Sequence, residues 1–278
     1  MATIALSVFE TKLDKFLDDC LTGTTTSNGS AAKNTLVDSA LEQYSDGYFG
    51  DPERNSQWWV YVASQLKSVK RFVNPGGTIL INGTTTAQVT SSTAYELHRY
   101  NRDKKIIAAN RALYDCYPYF HLVVSDLTTL DGKGASDNQY EVPSTFEHFP
   151  EQIFSEYESG DVLSYVPVSF RPQTIGGTMY FYANIPTGRD IHLIGKKHLS
   201  QFTNDASTTE LSDAQANTVV TLAAAIFFRM LSGTVNAADS ERYDSLANRY
   251  EWQWEERKHI DAMPFQDPRT LDFGWLGE

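Results

Sequence analysis

Two cysteines in 278 residues are too few, and too far apart in the chain, to build a disulfide framework. Cys20 and Cys116 each fall on the apolar side of a helical pattern, so both are expected as buried free thiols of a chain made in a reducing cytoplasm. Long apolar runs are missing too. The longest, Val219–Met230, is broken by Thr221 and Arg229. A membrane span needs roughly 18 consecutive apolar residues, so no membrane association is expected. The start, MATIALSVFETKLDKF, has no basic stretch followed by an apolar core and reads as no signal peptide. Positive charge is scarce: 23 Lys and Arg stand against 35 Asp and Glu, a net charge of −12. A surface of that sign repels polyphosphate, which argues against broad nucleic-acid binding. Small basic clusters such as Lys67–Lys70–Arg71 and Lys196–Lys197 read as solvated charge.

Catalytic signatures are equally scarce. There is no G-x-S-x-G, C-x-x-C or H-E-x-x-H. Gly195-Lys196-Lys197 resembles a phosphate-binding loop only superficially. Lys197 stands where a magnesium-binding hydroxyl is needed, and Gly188 lies two residues too far upstream. Of the six histidines (His98, His121, His148, His192, His198 and His259), none pairs with another at i, i+4 on an expected helix. No carboxylate or thiol lies at ligand spacing from His192 or His198, so no metal site is expected. The stretch 147–161 carries Glu147, Glu151, Glu156, Glu158 and Asp161. Two facing carboxylates there would suit a glycosidase, but the stretch reads as a solvated acidic loop.

What is present is periodic. Residues 4–21 place Leu6, Phe9, Leu13, Phe16, Leu17 and Cys20 at helical spacing, and Gly23 ends the pattern. Residues 22–33, TGTTTSNGSAAK, read as a flexible linker. Residues 36–98 then read as a small β barrel or sandwich. Its expected strands lie at 58–62, 71–73, 78–81 and 95–98, with turns at Asn74–Gly77 and Asn82–Gly83. A helix is expected over 103–118, with Ile106, Ile107, Ala109, Ala112, Leu113 and Cys116 on one face and Pro118 at its end. Strands return in HLVV, QYEVPS, VLSYVPVSF, TMYFYANI and DIHLIG. Ser212 and Gln215 form a capping box for a helix over 213–231, with Gly233 in a left-handed position after it. Asn236 caps a final helix over 237–258, and HIDAMPFQDPRTLDFGWLGE reads as an extended tail.

This order predicts an α+β protein with a four-helix bundle core, inserted antiparallel β regions and an extended C-terminal tail. The divisions are a helix and linker (1–34), an inserted β unit (35–101), a core helix (102–120), a second β-rich region (121–205), a helical pair (206–260) and a docking tail (261–278). Four tail residues, Phe265, Phe273, Trp275 and Leu276, have no local core and are expected to bind a partner. Trp58 and Trp59 are adjacent and so point to opposite faces of a strand. Together with Tyr61 and Trp252 they are candidates for contacts between subunits.

The block LVDSALEQYSDGYFGDPERNSQWWVYVAS, then KRFV, GTILI and YELHRYNRDKKIIAANRAL, resembles segments of tailed-bacteriophage structural proteins. YEVPS, a strand-rich middle, TTELSDAQANTVVTLAAAIFFRMLSG and a long Tyr/Trp/Arg helix are similar to the C-terminal half of head-to-tail adaptor, or neck, proteins. The resemblance implies a homo-oligomeric ring, commonly a dodecamer, in the virion neck. Its partners would be the portal protein and tail or neck proteins, its C-terminal extension would dock on the portal, and DNA would pass through its channel. It implies no enzymatic activity and no cofactor. The alternative is a receptor- or carbohydrate-binding tail accessory protein, for which Trp58, Trp59 and Tyr61 would supply a stacking surface.

Overall fold

The structure, a computed structural model, describes residues 2–51, 56–127, 129–134, 138–158, 165–234 and 237–263. The chain begins with β1 (Ile4–Ala5), α1 (Leu6–Leu17), β2 (Leu21–Thr24), β3 (Thr35–Val37) and a 3-10 turn at Ser39–Gln43. There follow β4 (Gly50–Asp51), β5 (Ser56–Gln57), β6 (Trp59–Val62), β7 (Gln65–Val73), β8 (Thr78–Ile81) and β9 (Ala94–His98). After α2 (Arg102–Asp115) come β10 (Leu122–Asp126), β11 (Gln139–Glu141), β12 (Gln152–Glu156), β13 (Tyr165–Pro167), β14 (Arg171–Ile175), β15 (Thr178–Tyr182) and β16 (Ile191–Lys197). The last elements are β17 (Thr208–Thr209), α3 (Asp213–Ser232) and α4 (Ala237–Arg257).

The fold is α+β, but the expected four-helix bundle is not found among the described residues. α3 is a hub. It carries the capping box of Ser212 and Gln215 and buries side chains on every side, among them Thr218, Val219, Val220, Ala223, Ala224, Phe227 and Phe228. A helix apolar all round is surrounded rather than laid on a surface. By length and composition α3 would also suffice to cross a membrane, yet here its apolar side chains fill the core. α1, α2 and α4 each pack along α3. Direct contacts among the outer three are fewer, such as the edge-on packing of Phe16 in α1 on Tyr250 in α4 at 5.7 Å. Leu199, Phe202 and Leu211 complete this core, so the segment before α3 belongs to the helical body rather than to the second β region.

Several expected boundaries move. α1 is shorter than 4–21 at both ends: Ile4–Ala5 pair with Thr208–Thr209, and Asp18 stops the helix in a left-handed conformation at φ 50°. Cys20 lies beyond the helix and is half-buried, whereas Cys116 is fully buried. Ile107 is 55% exposed, because α2 turns Lys105, Ala108, Ala109 and Ala112 inward. Gly233 is right-handed, at φ −71°. Asn236 lies outside the described residues.

The unit at 21–98 is a six-stranded antiparallel sheet in the order β2-β9-β6-β7-β8-β3. Its inner face alternates as period two requires, through Val60 and Val62, Ile79 and Ile81, and Tyr95 and Leu97. The edges meet where Thr26 N–H donates to Val37 O at 3.0 Å, just beyond β2, so the sheet closes as a small barrel. The expected flexible linker at 22–33 is therefore part of this barrel. Thr25 is buried, with its hydroxyl donating to Thr90 O at 2.6 Å.

Residues 122–197 form a four-stranded sheet, β10-β16-β12-β13, and a three-stranded sheet, β11-β15-β14. Ile153, Ile191 and Leu193 of the first share a core with Tyr140 and Phe181 of the second. This is a small sandwich. The expected acidic loop contains a strand, β12, and within it Glu156 is only 2% exposed.

Candidate functional site

The body and the barrel are joined by two neighbouring links, from α1 to β2 and from β9 to α2. Arg99 N–H donates to the Asp19 carboxylate across them. A cleft of about 660 Å³ opens here. Its floor is a buried network of charges. Lys105, 1% exposed, contacts the Asp14 carboxylate, Asp19 Oδ2 at 3.0 Å and His98 Nδ1 at 2.9 Å. That is three partners for the three N–H bonds of an ammonium. His98 Nε2 lies 3.1 Å from Glu96 Oε2. Beside it, Arg102 donates to Glu10 at 2.7 Å and Asp205 at 3.0 Å, and its guanidinium lies 4.3 Å from the centre of the Tyr61 ring. The Tyr61 hydroxyl donates to Asp205 at 2.7 Å.

Burial and pairing compete at each group. Burial raises the pKa of Asp14 and outweighs the opposing Lys105 charge. Burial likewise raises Glu10 against the pull of Arg102. At Asp19 burial is overcome by His98 and Lys105, which hold its carboxyl below the usual range. Lys105 is raised: burial opposes its charge, but Asp14 and Asp19 favour it more strongly. The arrangement fastens the barrel to the body, since each cation is already held by carboxylates of the chain.

The aromatic candidates separate. Trp58 packs against the barrel core in a cluster with Tyr48 and Phe49, its ring 5.1 Å from that of Phe49. Trp59 and Tyr61 share the outer, half-buried face of β6. Tyr61 is engaged at the junction. Trp252 is 62% exposed on α4, opposite Tyr243, Ala247, Tyr250 and Trp254, which face the core. Phe265, Phe273, Trp275 and Leu276 lie outside the described residues.

Among its described residues, carboxylates of the acidic stretch are engaged separately. Glu147 accepts from His198, Glu151 pairs with Lys196 at 2.8 Å, and Glu156 accepts from the Asp190 N–H. Asp161 lies outside the described residues. Gly195 of the phosphate-loop look-alike serves packing instead: a Cβ there would stand 2.9 Å from the Phe146 ring. The junction charges escaped the sequence reading. One signal for them was present, because Lys105, Ala108, Ala109 and Ala112 form one helical stripe that should have placed the lysine inside.

No protein-family model matches the chain, and no curated protein matches it.

Proposed function

We propose that this chain is a head-to-tail adaptor of a tailed bacteriophage, a structural virion protein whose copies form a ring between portal and tail. The observation that carries the reading is Trp252. It stands 62% exposed on the face of α4 that turns away from the core. Arg242, Ser245, Arg249 and Glu256 are exposed at helical spacing around it. An aromatic ringed by mixed charge is the usual composition of an interface centre with a polar rim. The C-terminal segment supports the same reading. Met263 N–H donates to Tyr119 O at 2.9 Å, so the chain is held to the helical body as far as Met263, and 264–278 follow as the candidate docking extension. The net charge of −12 suits a channel through which DNA passes without sticking.

Electron microscopy of the purified protein, alone and with a portal ring, tests this. Rings that seat on the portal and are lost in Trp252→Glu are the expected result. A wild-type chain that neither forms a ring nor joins one at the portal overturns it.

A further inference from the structure

A second polar cluster lies where the sandwich meets the end of α2. Glu147 and His148 sit on the loop between β11 and β12, and His198 follows β16. They are separated by half a hundred residues in sequence, and Gly195 brings them together. With no Cβ on that residue, the 146–150 loop lies directly on β16. Glu147 Oε2 then accepts from the His198 backbone N–H at 2.9 Å and lies 2.7 Å from His198 Nδ1. One potential ligand atom from each of Glu147, His148 and His198 falls within 4.8 Å of the other two.

The imidazoles are held by their faces. Tyr114 stacks on His198 with centroids 4.0 Å apart and planes 5° apart. Tyr117 stacks on His148 at 4.6 Å. Stacking engages the faces of both rings and not their nitrogens. His148 Nε2 is buried and has no hydrogen-bond partner. An unmet buried polar atom of this kind is destabilising, and a bound cation would satisfy it. The cluster borders an open cleft of about 560 Å³.

We propose that Glu147, His148 and His198 form a divalent transition-metal site with two imidazoles and one carboxylate, its remaining positions open to water from the cleft. Imidazole with carboxylate suits zinc and its neighbours rather than calcium or magnesium. Bonds of about 2.0–2.1 Å in a tetrahedral site set ligand atoms roughly 3.3 Å apart. The Glu147–His198 contact therefore opens by about half an ångström as the metal replaces the shared proton. The ion ties the 146–150 loop to β16. Through Tyr114 and Tyr117 it also fixes the angle between sandwich and body. The other histidine cluster, Asp14–Cys20–His98, is no competitor, since the Lys105 ammonium already occupies it.

The test uses the full chain, freed of metal with a chelator and titrated with zinc alone by calorimetry, with thermal melting in parallel. Wild type should take up one ion per chain and melt at a higher temperature when loaded. His148→Gln and His198→Gln should each weaken binding at least tenfold and abolish the melting shift, while His259→Gln binds as wild type. Circular dichroism confirms that each variant is folded. If His198→Gln misfolds, Glu147→Gln takes its place with the same expected loss. Absence of saturable uptake by wild type overturns the proposal, as does wild-type affinity in the folded variants. Neither result bears on ring formation.

Discussion

Replacing Lys105 by Met keeps the length of the side chain and removes one buried charge. In the wild type that charge sits between the side chains of Asp14 and Asp19, which are 12% and 0% exposed. Removing one partner of a buried ion pair costs about 3–5 kcal/mol, because the remaining charge is left in a poorly solvating site. In a chain of this size each kcal/mol moves the melting temperature by roughly 2–4 °C, so Lys105→Met should melt roughly 6–20 °C lower. Urea unfolding at neutral pH measures the free energy directly. Lys15→Met, an exposed lysine of the same cleft, should stay within about 0.5 kcal/mol of wild type.

The pH dependence has a definite sign. In the wild type Asp19 is lowered below 3.8, so its stabilisation is present above that value and lost as pH falls through the folded one. Lys105 is raised above 10.5, so its share is present below 10.5 and lost as pH rises through the folded value. In the variant, Asp14 and Asp19 lack the Lys105 charge, so both carboxyls move upward, Asp19 less so because His98 and the Arg99 N–H still hold it. A raised carboxyl gains relative stability as pH falls, so the gap between variant and wild type should narrow from pH 7 toward about pH 4. A loss below about 1 kcal/mol, or a gap that does not change with pH, would refute the reasoning.

Trp252→Ala should leave chain stability within about 0.5 kcal/mol, because the side chain is mostly in water, while reducing ring assembly. Analytical ultracentrifugation beside urea unfolding separates the two, and a large loss of stability with assembly intact would assign Trp252 to the fold. Removing residues 264–278 should leave the helical circular dichroism unchanged and weaken attachment to a portal ring in a pull-down. The cut belongs after Met263, since Asp261 accepts from Thr218 and Met263 is bonded to Tyr119. Gly77→Ala should cost about 3 kcal/mol, because φ is +52° and the new Cβ would stand 1.9 Å from Asp38 O. Gly83→Ala, at φ +77° but with open space around it, should cost only about 1 kcal/mol, and equal losses in thermal melts would contradict the steric account.

The sequence by itself determined the local elements. The runs expected at 58–62, 78–81 and 95–98 became barrel strands at 59–62, 78–81 and 94–98, and the box of Ser212 and Gln215 starts α3 as its spacing required. These follow from contacts within a few residues, which sequence displays directly. Only the tertiary structure decided which surfaces those elements share. Burial on every side made α3 a hub in place of a bundle member. The Thr/Ser-rich stretch 22–33, poor in apolar residues, became part of a closed barrel because backbone hydrogen bonds and its own polar side chains, not apolar packing, hold it there. Glu156 looked like one more surface acid until β12 paired with β16 and carried it inside. Lys105 met Asp14 and Asp19, and His198 met Glu147 and His148, across separations that no local pattern records. Charge pairing of that kind depends on distance in space and on exclusion of water, and both arise only when the chain has packed.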